Sequence, residues 1–303
     1  MAKRLSDIPA VLLALRHFVY LICLLHGLAA PTGATESVDQ SVPDSLVLQN
    51  IPNRPQDAIR GQQFGMETKG MTGKERQKRA LEELLRGNVP DFLRNLKPVR
   101  LSHRPPHGEM ITAIIWVTPD YLAIGSDEDF LRIPLTYPSA VMAAQAFDCI
   151  LPTRKMVDAI YDQATCHLRP DPLPPGPKMR SSEYYLKHRE MIRAQRKTAG
   201  CALGELVSGH KKDVVLTNRL NDKPGRIAIY GWHRKSGETI QPLSTVHGER
   251  YADYSHGVRL IYKTVWINGE ALSILEVLQD PGIARVLTYE GFLARLRRML
   301  RIK

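Results

Sequence analysis

A proline-rich segment near the middle of the chain most constrains its fold. Five prolines fall within the ten residues Arg169–Lys178. Because proline fixes φ and lacks an N–H donor, this segment is predicted to be an extended surface crossing. Helical patterns lie before it and continue into Ser181–Arg196, whereas strand patterns dominate from Leu203 to Ile267. The sequence therefore predicts a single α+β domain, with helices flanking a mostly antiparallel sheet.

Start and stop signals place several of these elements. Pro152 and Thr153 are typical helix-start residues, so a helix is predicted over Arg154–Thr165, with Cys149 just before its N-terminus. The apolar run Met110–Val117 predicts a buried strand. Asn268-Gly269 is a strong signal for a two-residue hairpin turn.

The first 34 residues have the composition of a targeting segment. A short basic start precedes the apolar stretch Val11–Ala30, which is followed by small residues up to Ala34. Arg16 makes a complete membrane span costly, which favours a signal peptide over an N-terminal anchor. We therefore predict a signal peptide or N-terminal anchor over residues 1–34, a linker over 35–72, the α+β domain over 73–290 and a basic C-terminal helix over 291–303. The protein is expected to be exported to the periplasm or secreted. It would be either anchored to the membrane or released from it.

The four cysteines fit no metal-ligand spacing. Cys23 lies in the predicted leader, which leaves Cys149, Cys166 and Cys201, an odd number. In an exported protein an odd number predicts a free thiol or an intermolecular bridge. No CxxC pair and no cofactor fingerprint occurs, so neither a structural zinc nor a cofactor is predicted.

The chain carries a net charge of +11, much of it in the terminal arms. Such charge suits an acidic partner. No stripe of alternating arginines and aromatic residues occurs, and nucleic acid is therefore not the expected partner. The expected partner is a cell-envelope polymer.

Polar residues with catalytic chemistry are concentrated in Gly200–Arg259. Four of the ten histidines lie there, close to aspartates, tyrosines and glycines. One hypothesis is a thiol hydrolase of amide or peptide bonds, in which Cys149 is the nucleophile, His210 or His256 the base, and Asp213 the residue that orients it. His247, Asp253, Tyr251 and Trp232 would then bind the substrate. The order of a helix-borne cysteine and a strand-borne histidine resembles papain-like cell-wall amidases and peptidases, although their DCSG-like nucleophile string is absent.

Two alternatives use the same residues. The histidines and aspartates also suit a metal-dependent hydrolase, although Asp253 and His256 share a face only on a helix. The second alternative is a non-catalytic module that binds wall polymer or carbohydrate through Trp232, Trp266 and the tyrosines.

Several strings resemble those of a group of secreted bacterial proteins without assigned activity. They include GNVPDFLR, PDYLAIGSD, CILPTRKMVDAIY, SGHKKDVVLT, IYGWH and YADYSHGVRL. The resemblance extends from about Gly73 to Glu290 and implies one exported domain. It implies no reaction.

Overall fold

The computed structural model describes residues 42–302, which belong to one compact unit. Its α-helices are α1 (Gly61–Glu67), α2 (Gly73–Leu85), α3 (Tyr137–Ala146), α4 (Arg154–Gln163), α5 (Ser182–Ala199), α6 (Ile274–Gln279) and α7 (Leu296–Met299). Its strands are β1 (Lys97–His103), β2 (Ile111–Val117), β3 (Ala123–Gly125), β4 (Phe130–Arg132), β5 (Cys149–Ile150), β6 (Cys166–His167), β7 (Val207–Ser208), β8 (Lys212–Val214), β9 (Ile229–His233), β10 (Thr239–Ser244), β11 (His256–Gly257), β12 (Ile261–Tyr262), β13 (Thr264–Ile267) and β14 (Glu270–Ser273). The predicted α+β class, with a mostly antiparallel sheet flanked by helices, is confirmed.

The larger sheet is built around β2. Its strands run in the order β14-β13-β2-β12-β5, and β1 pairs with the other edge of β2. Every pairing in this sheet is antiparallel. The side chains of Ile115 and Val117 on β2 are fully buried, as the apolar run predicted.

The smaller sheet has the order β10-β9-β8-β11. The β8–β9 and β9–β10 pairs are antiparallel, whereas β8 and β11 are parallel. Parallel neighbours cannot be joined by a tight turn, and 41 residues of the chain separate Val214 from His256. This one parallel pair brings together two distant parts of Gly200–Arg259.

Local signals in the sequence explain where several elements begin and end. The Thr153 hydroxyl caps α4 by accepting a hydrogen bond from the backbone N–H of Met156, at 3.3 Å. Asn268 and Gly269 have positive φ, 50° and 94°, and they join β13 to β14 in the predicted hairpin.

Two predicted boundaries were wrong. Residues 42–72 are not a linker, because they include α1 and bury Leu48, Ile51 and Phe64 in the main core. The basic C-terminal helix is limited to the four residues of α7, whose Leu296 and Met299 also join that core. The predicted leader lies outside the described residues. Within residues 42–302 no helix combines the length and apolarity that a membrane crossing requires.

Candidate functional site

Three of the eight predicted site residues lie on the smaller sheet, and they are divided between its two faces. His256 pairs with Lys212, and Gly257 pairs with Asp213, across the parallel strands β11 and β8. Successive side chains on a strand point to opposite faces. Lys212 therefore shares a face with His256, whereas Asp213 lies on the other face.

His247, Tyr251, Asp253 and His256 lie together; we call these four residues the His256 cluster. The rings of His247 and Tyr251 are stacked, with centroids 4.1 Å apart. The His256 ring lies 5.6 Å from the Tyr251 ring and 6.1 Å from the His247 ring. His256 and Asp253 are buried, whereas His247 and Tyr251 are half-buried. Solvent therefore reaches the cluster from the side of the stacked pair.

Asp253 is held as an anion beside His256. Its Oδ1 accepts hydrogen bonds from the backbone N–H and the hydroxyl of Ser255, at 2.8 and 2.6 Å. Its Oδ2 lies 3.8 Å from Nε2 of His256. Burial opposes the charge, but His256 and the Ser255 hydrogen bonds outweigh it and lower the pKa of Asp253.

His256 is held neutral. Burial lowers its pKa to about 4, despite the opposing effect of Asp253. Neither ring nitrogen has a hydrogen-bond partner among the residues that the structure describes. At neutral pH this imidazole is therefore a buried base whose nitrogens are not committed to other groups.

Trp232 and Lys212 extend the same face of the sheet. The ammonium of Lys212 lies 4.6 Å from the centre of the Trp232 ring, within range of a cation–π interaction. Trp232 has φ of 57°, an unfavourable conformation for a bulky residue. Its backbone N–H donates to the carbonyl of Lys211 at 3.1 Å. The predicted substrate-binding residue Trp232 thus belongs to the face that carries His256.

Asp213 lies in a separate, interior group. Its Oδ2 accepts a hydrogen bond from the Tyr121 hydroxyl at 2.8 Å, and its Oδ1 is 4.0 Å from Nε of Arg259. Burial raises the pKa of Asp213 to about 6. The carboxylate nearest His210 is instead Asp120, whose Oδ1 lies 3.3 Å from Nε2 of His210. The prediction that Asp213 orients His210 or His256 was therefore wrong.

His210 belongs to a buried ionic network rather than to a cleft. Asp120 also accepts hydrogen bonds from the guanidinium groups of Arg132 and Arg196. Burial lowers the pKa of His210 to about 4. His210 is fully buried and its nearest carboxylate is Asp120, so it is not oriented by Asp213.

Cys149 is remote from these groups in the topology. It lies on β5 of the larger sheet, paired with Tyr262, and its thiol donates to the carbonyl of Phe147 at 3.2 Å. The helix that follows is capped by Thr153, so Cys149 is in a strand and not at a helix N-terminus. Burial raises the pKa of the thiol, which opposes formation of a thiolate. No histidine is among the described residues lining the 420 Å³ cavity beside it. This geometry gives no support to Cys149 as a nucleophile.

The other two cysteines are bonded to each other. Cys166 and Cys201 form a disulfide, which leaves Cys149 as the free thiol of the described residues. Cys166, Cys201 and Glu205 are also the group of potential metal ligands whose donor atoms lie within 4.8 Å of one another in residues 42–302. Two of its donors are consumed by the disulfide. The histidines and aspartates of the predicted metal site do not converge in this way.

Sequence reasoning missed a second acidic centre, at Asp158 on α4. Asp158 accepts a hydrogen bond from the Tyr230 hydroxyl at 2.7 Å and lies 3.4 Å from Nε2 of His233. The His233 ring stacks on Tyr161, with centroids 4.3 Å apart. The sequence offered little signal, because Asp158 lies beside the apolar stripe of α4 and not within it.

Comparisons with known proteins add no assignment. No family model, curated protein or solved structure matches this chain.

Proposed function

We propose that this protein is an exported hydrolase that cleaves amide or peptide bonds of a cell-envelope polymer by general acid–base chemistry at His256. The observation that carries the proposal is the neutral, buried His256 imidazole beside the ionised Asp253 carboxylate. A histidine general base must be neutral at the working pH, and a neighbouring carboxylate stabilises the imidazolium that forms when it takes a proton. The thiol mechanism through Cys149 is not part of this proposal.

The reaction needs water as the nucleophile. His256 takes a proton from water while the water oxygen bonds to the substrate carbonyl carbon, and Asp253 stabilises the resulting imidazolium. The Lys212 ammonium, on the same face, stabilises the negative charge that develops on the carbonyl oxygen. The imidazolium then gives its proton to the departing nitrogen as the carbon–nitrogen bond breaks. His256 returns to its neutral form.

Export is supported by the disulfide and by the composition of the first 34 residues. Structural disulfides persist in oxidising compartments and are rare in the cytosol of mesophiles. The Cys166–Cys201 bond is thus consistent with the signal peptide that the N-terminal sequence predicts.

A binding module is the second candidate. It is favoured by the stacked His247–Tyr251 pair, which is half-buried, whereas Trp232 is buried beneath Lys212. Aromatic rings present an apolar surface of the kind on which sugars stack.

The test incubates the purified protein with bacterial peptidoglycan and measures newly released amino groups. The wild-type protein is expected to release amines, and His256→Gln and Asp253→Asn are expected to lower the rate by about 10²–10⁴-fold, the usual contribution of general acid–base catalysis. His107→Gln, the same change at an exposed position, is the control. Circular dichroism and melting curves confirm that each variant is folded.

Tyr251→Phe keeps the test informative if both buried substitutions prevent folding, because Tyr251 is only half-buried. It is expected to reduce amine release, because it removes a hydroxyl next to Asp253. Co-sedimentation with peptidoglycan without amine release would contradict the hydrolase proposal and favour the binding module. Full activity of folded His256→Gln would exclude His256 as the base.

A further inference from the structure

A cationic cavity is bordered by Glu249, two residues after His247. It has a volume of about 270 Å³ and is lined by the cationic residues Lys223, Arg226, Arg298 and Arg301, with Glu249 as its acidic residue. Arg301 forms an ion pair with Glu249. The net charge of the lining is therefore positive.

The remaining three cations are exposed and have no carboxylate partner among the described residues. Lys223 donates to the Thr245 hydroxyl at 3.0 Å, and Arg226 donates to the carbonyl of Val246 at 2.6 Å. Among residues 42–302, no carboxylate lies within 4.0 Å of Lys223, Arg226 or Arg298. Neutral acceptors leave the positive charge uncompensated, so the cavity attracts anions.

Arg226 of the cavity lining is joined to the turn that carries His247. Arg226 pairs with Gly248, the residue after His247, in an isolated antiparallel bridge. The N–H of Tyr251 donates to the carbonyl of Gly248 at 2.9 Å, which ties the same turn to the stacked pair. Burial, Lys212 and Arg226 together lower the pKa of His247, against the effect of Asp253. The charge of Arg226 therefore contributes to lowering the pKa of a residue in the His256 cluster.

We propose that this cavity binds an anionic group, a carboxylate or a phosphate, of the substrate that His256 acts on. Guanidinium and ammonium groups are the side chains that bind both anions, through charge-assisted hydrogen bonds. The link to the substrate rests on the proposed function, whereas anion binding itself does not. Peptide stems of wall polymers offer carboxylates, and phosphate-containing wall polymers offer phosphates.

Isothermal titration calorimetry of the whole protein with inorganic phosphate and with acetate, at constant ionic strength in chloride, tests the proposal. Wild type is expected to bind at least one of them, and Arg298→Gln and Lys223→Gln each to bind about tenfold more weakly. Arg285→Gln, which removes the same charge from an exposed position away from the cavity, is expected to bind as wild type does. Binding of phosphate alone or of acetate alone identifies which anion the cavity selects.

Two further measurements separate this proposal from the catalytic one. His256→Gln is expected to keep its anion affinity, and Arg298→Gln to raise KM for amine release with kcat unchanged. Anion binding without amine release would contradict the proposed hydrolase activity and support the anion-binding cavity. The cavity proposal is overturned if wild type binds neither anion, or if Arg298→Gln and Lys223→Gln bind them as wild type does.

Discussion

A Cβ atom added at Gly257 would lie 2.5 Å from Cδ1 of Tyr121. The Tyr121 ring is fully buried there, and its hydroxyl reaches Asp213. Glycine at position 257 therefore lets β11 approach the ring closely enough to place the preceding residue, His256, beside Lys212.

Gly257→Ala is accordingly expected to destabilise the protein by about 1–3 kcal/mol, as for other overpacked cores. Urea unfolding curves measure the loss. Gly248→Ala is the control, because the nearest atom to its Cβ would be the carbonyl oxygen of Gly225, 3.9 Å away. Equal stability of the two variants would contradict the predicted clash.

Cys149 is expected to resist alkylation in the folded protein, because its thiol is buried and its pKa is raised. Peptide mass spectrometry after iodoacetamide treatment, with and without urea, measures labelling at this position. Cys149→Ala should release amines from peptidoglycan at the wild-type rate. Loss of activity in that variant, with its fold intact, would restore the thiol mechanism.

Reduction of the Cys166–Cys201 disulfide is expected to lower the free energy of unfolding by about 2–4 kcal/mol, because the bond closes a long loop in the unfolded chain. The two cysteines are 35 residues apart. Urea unfolding with and without dithiothreitol measures the effect, and Cys149→Ala should show the same sensitivity to reductant. Cys166→Ala/Cys201→Ala should show none.

Stability is expected to fall as the pH is lowered from about 6.5 towards 4. His210 and His256 have folded-state pKa values of about 4, below the unfolded value of 6.5. In this range the unfolded chain binds protons that the folded protein does not, and each such group costs about 1.4 kcal/mol per pH unit. His188, whose pKa burial also lowers, acts in the same direction. Asp213 has the opposite effect on stability. Its raised pKa of about 6 means that, as the pH falls, the folded protein binds this proton before the unfolded chain does.

Unfolding free energies at pH 7 and pH 4.5 test this balance. His256→Gln removes one of the destabilising groups and should show a smaller loss on acidification than His107→Gln. An equal loss in the two variants would show that His256 titrates normally.

The sequence was most informative where local chemistry decides the structure. The Asn268-Gly269 turn and the Thr153 helix start follow from backbone preferences of the residues themselves, and both are confirmed. Of the predicted site, His247, Asp253 and His256 lie together, whereas His210 and Asp213 have other partners. The segment 247–256 is only ten residues long, so side chains within it are expected to lie close together.

The sequence does not show which side chains share a face of the smaller sheet. Lys212 and Asp213 are adjacent, and which of them meets His256 depends on the register of β8 against β11, a distant segment. The same limit explains the error at Cys149. A cysteine before a helix-start signal suits either a helix N-terminus or a short strand, and pairing with Tyr262 selects the strand.

The parallel pairing of β8 with β11 also has a kinetic consequence. Contacts between residues far apart in the chain form slowly, because closing the intervening loop costs entropy before any contact repays it. Lys212 and His256 become neighbours only when that loop closes. During refolding from denaturant, helical circular dichroism should therefore recover before function does.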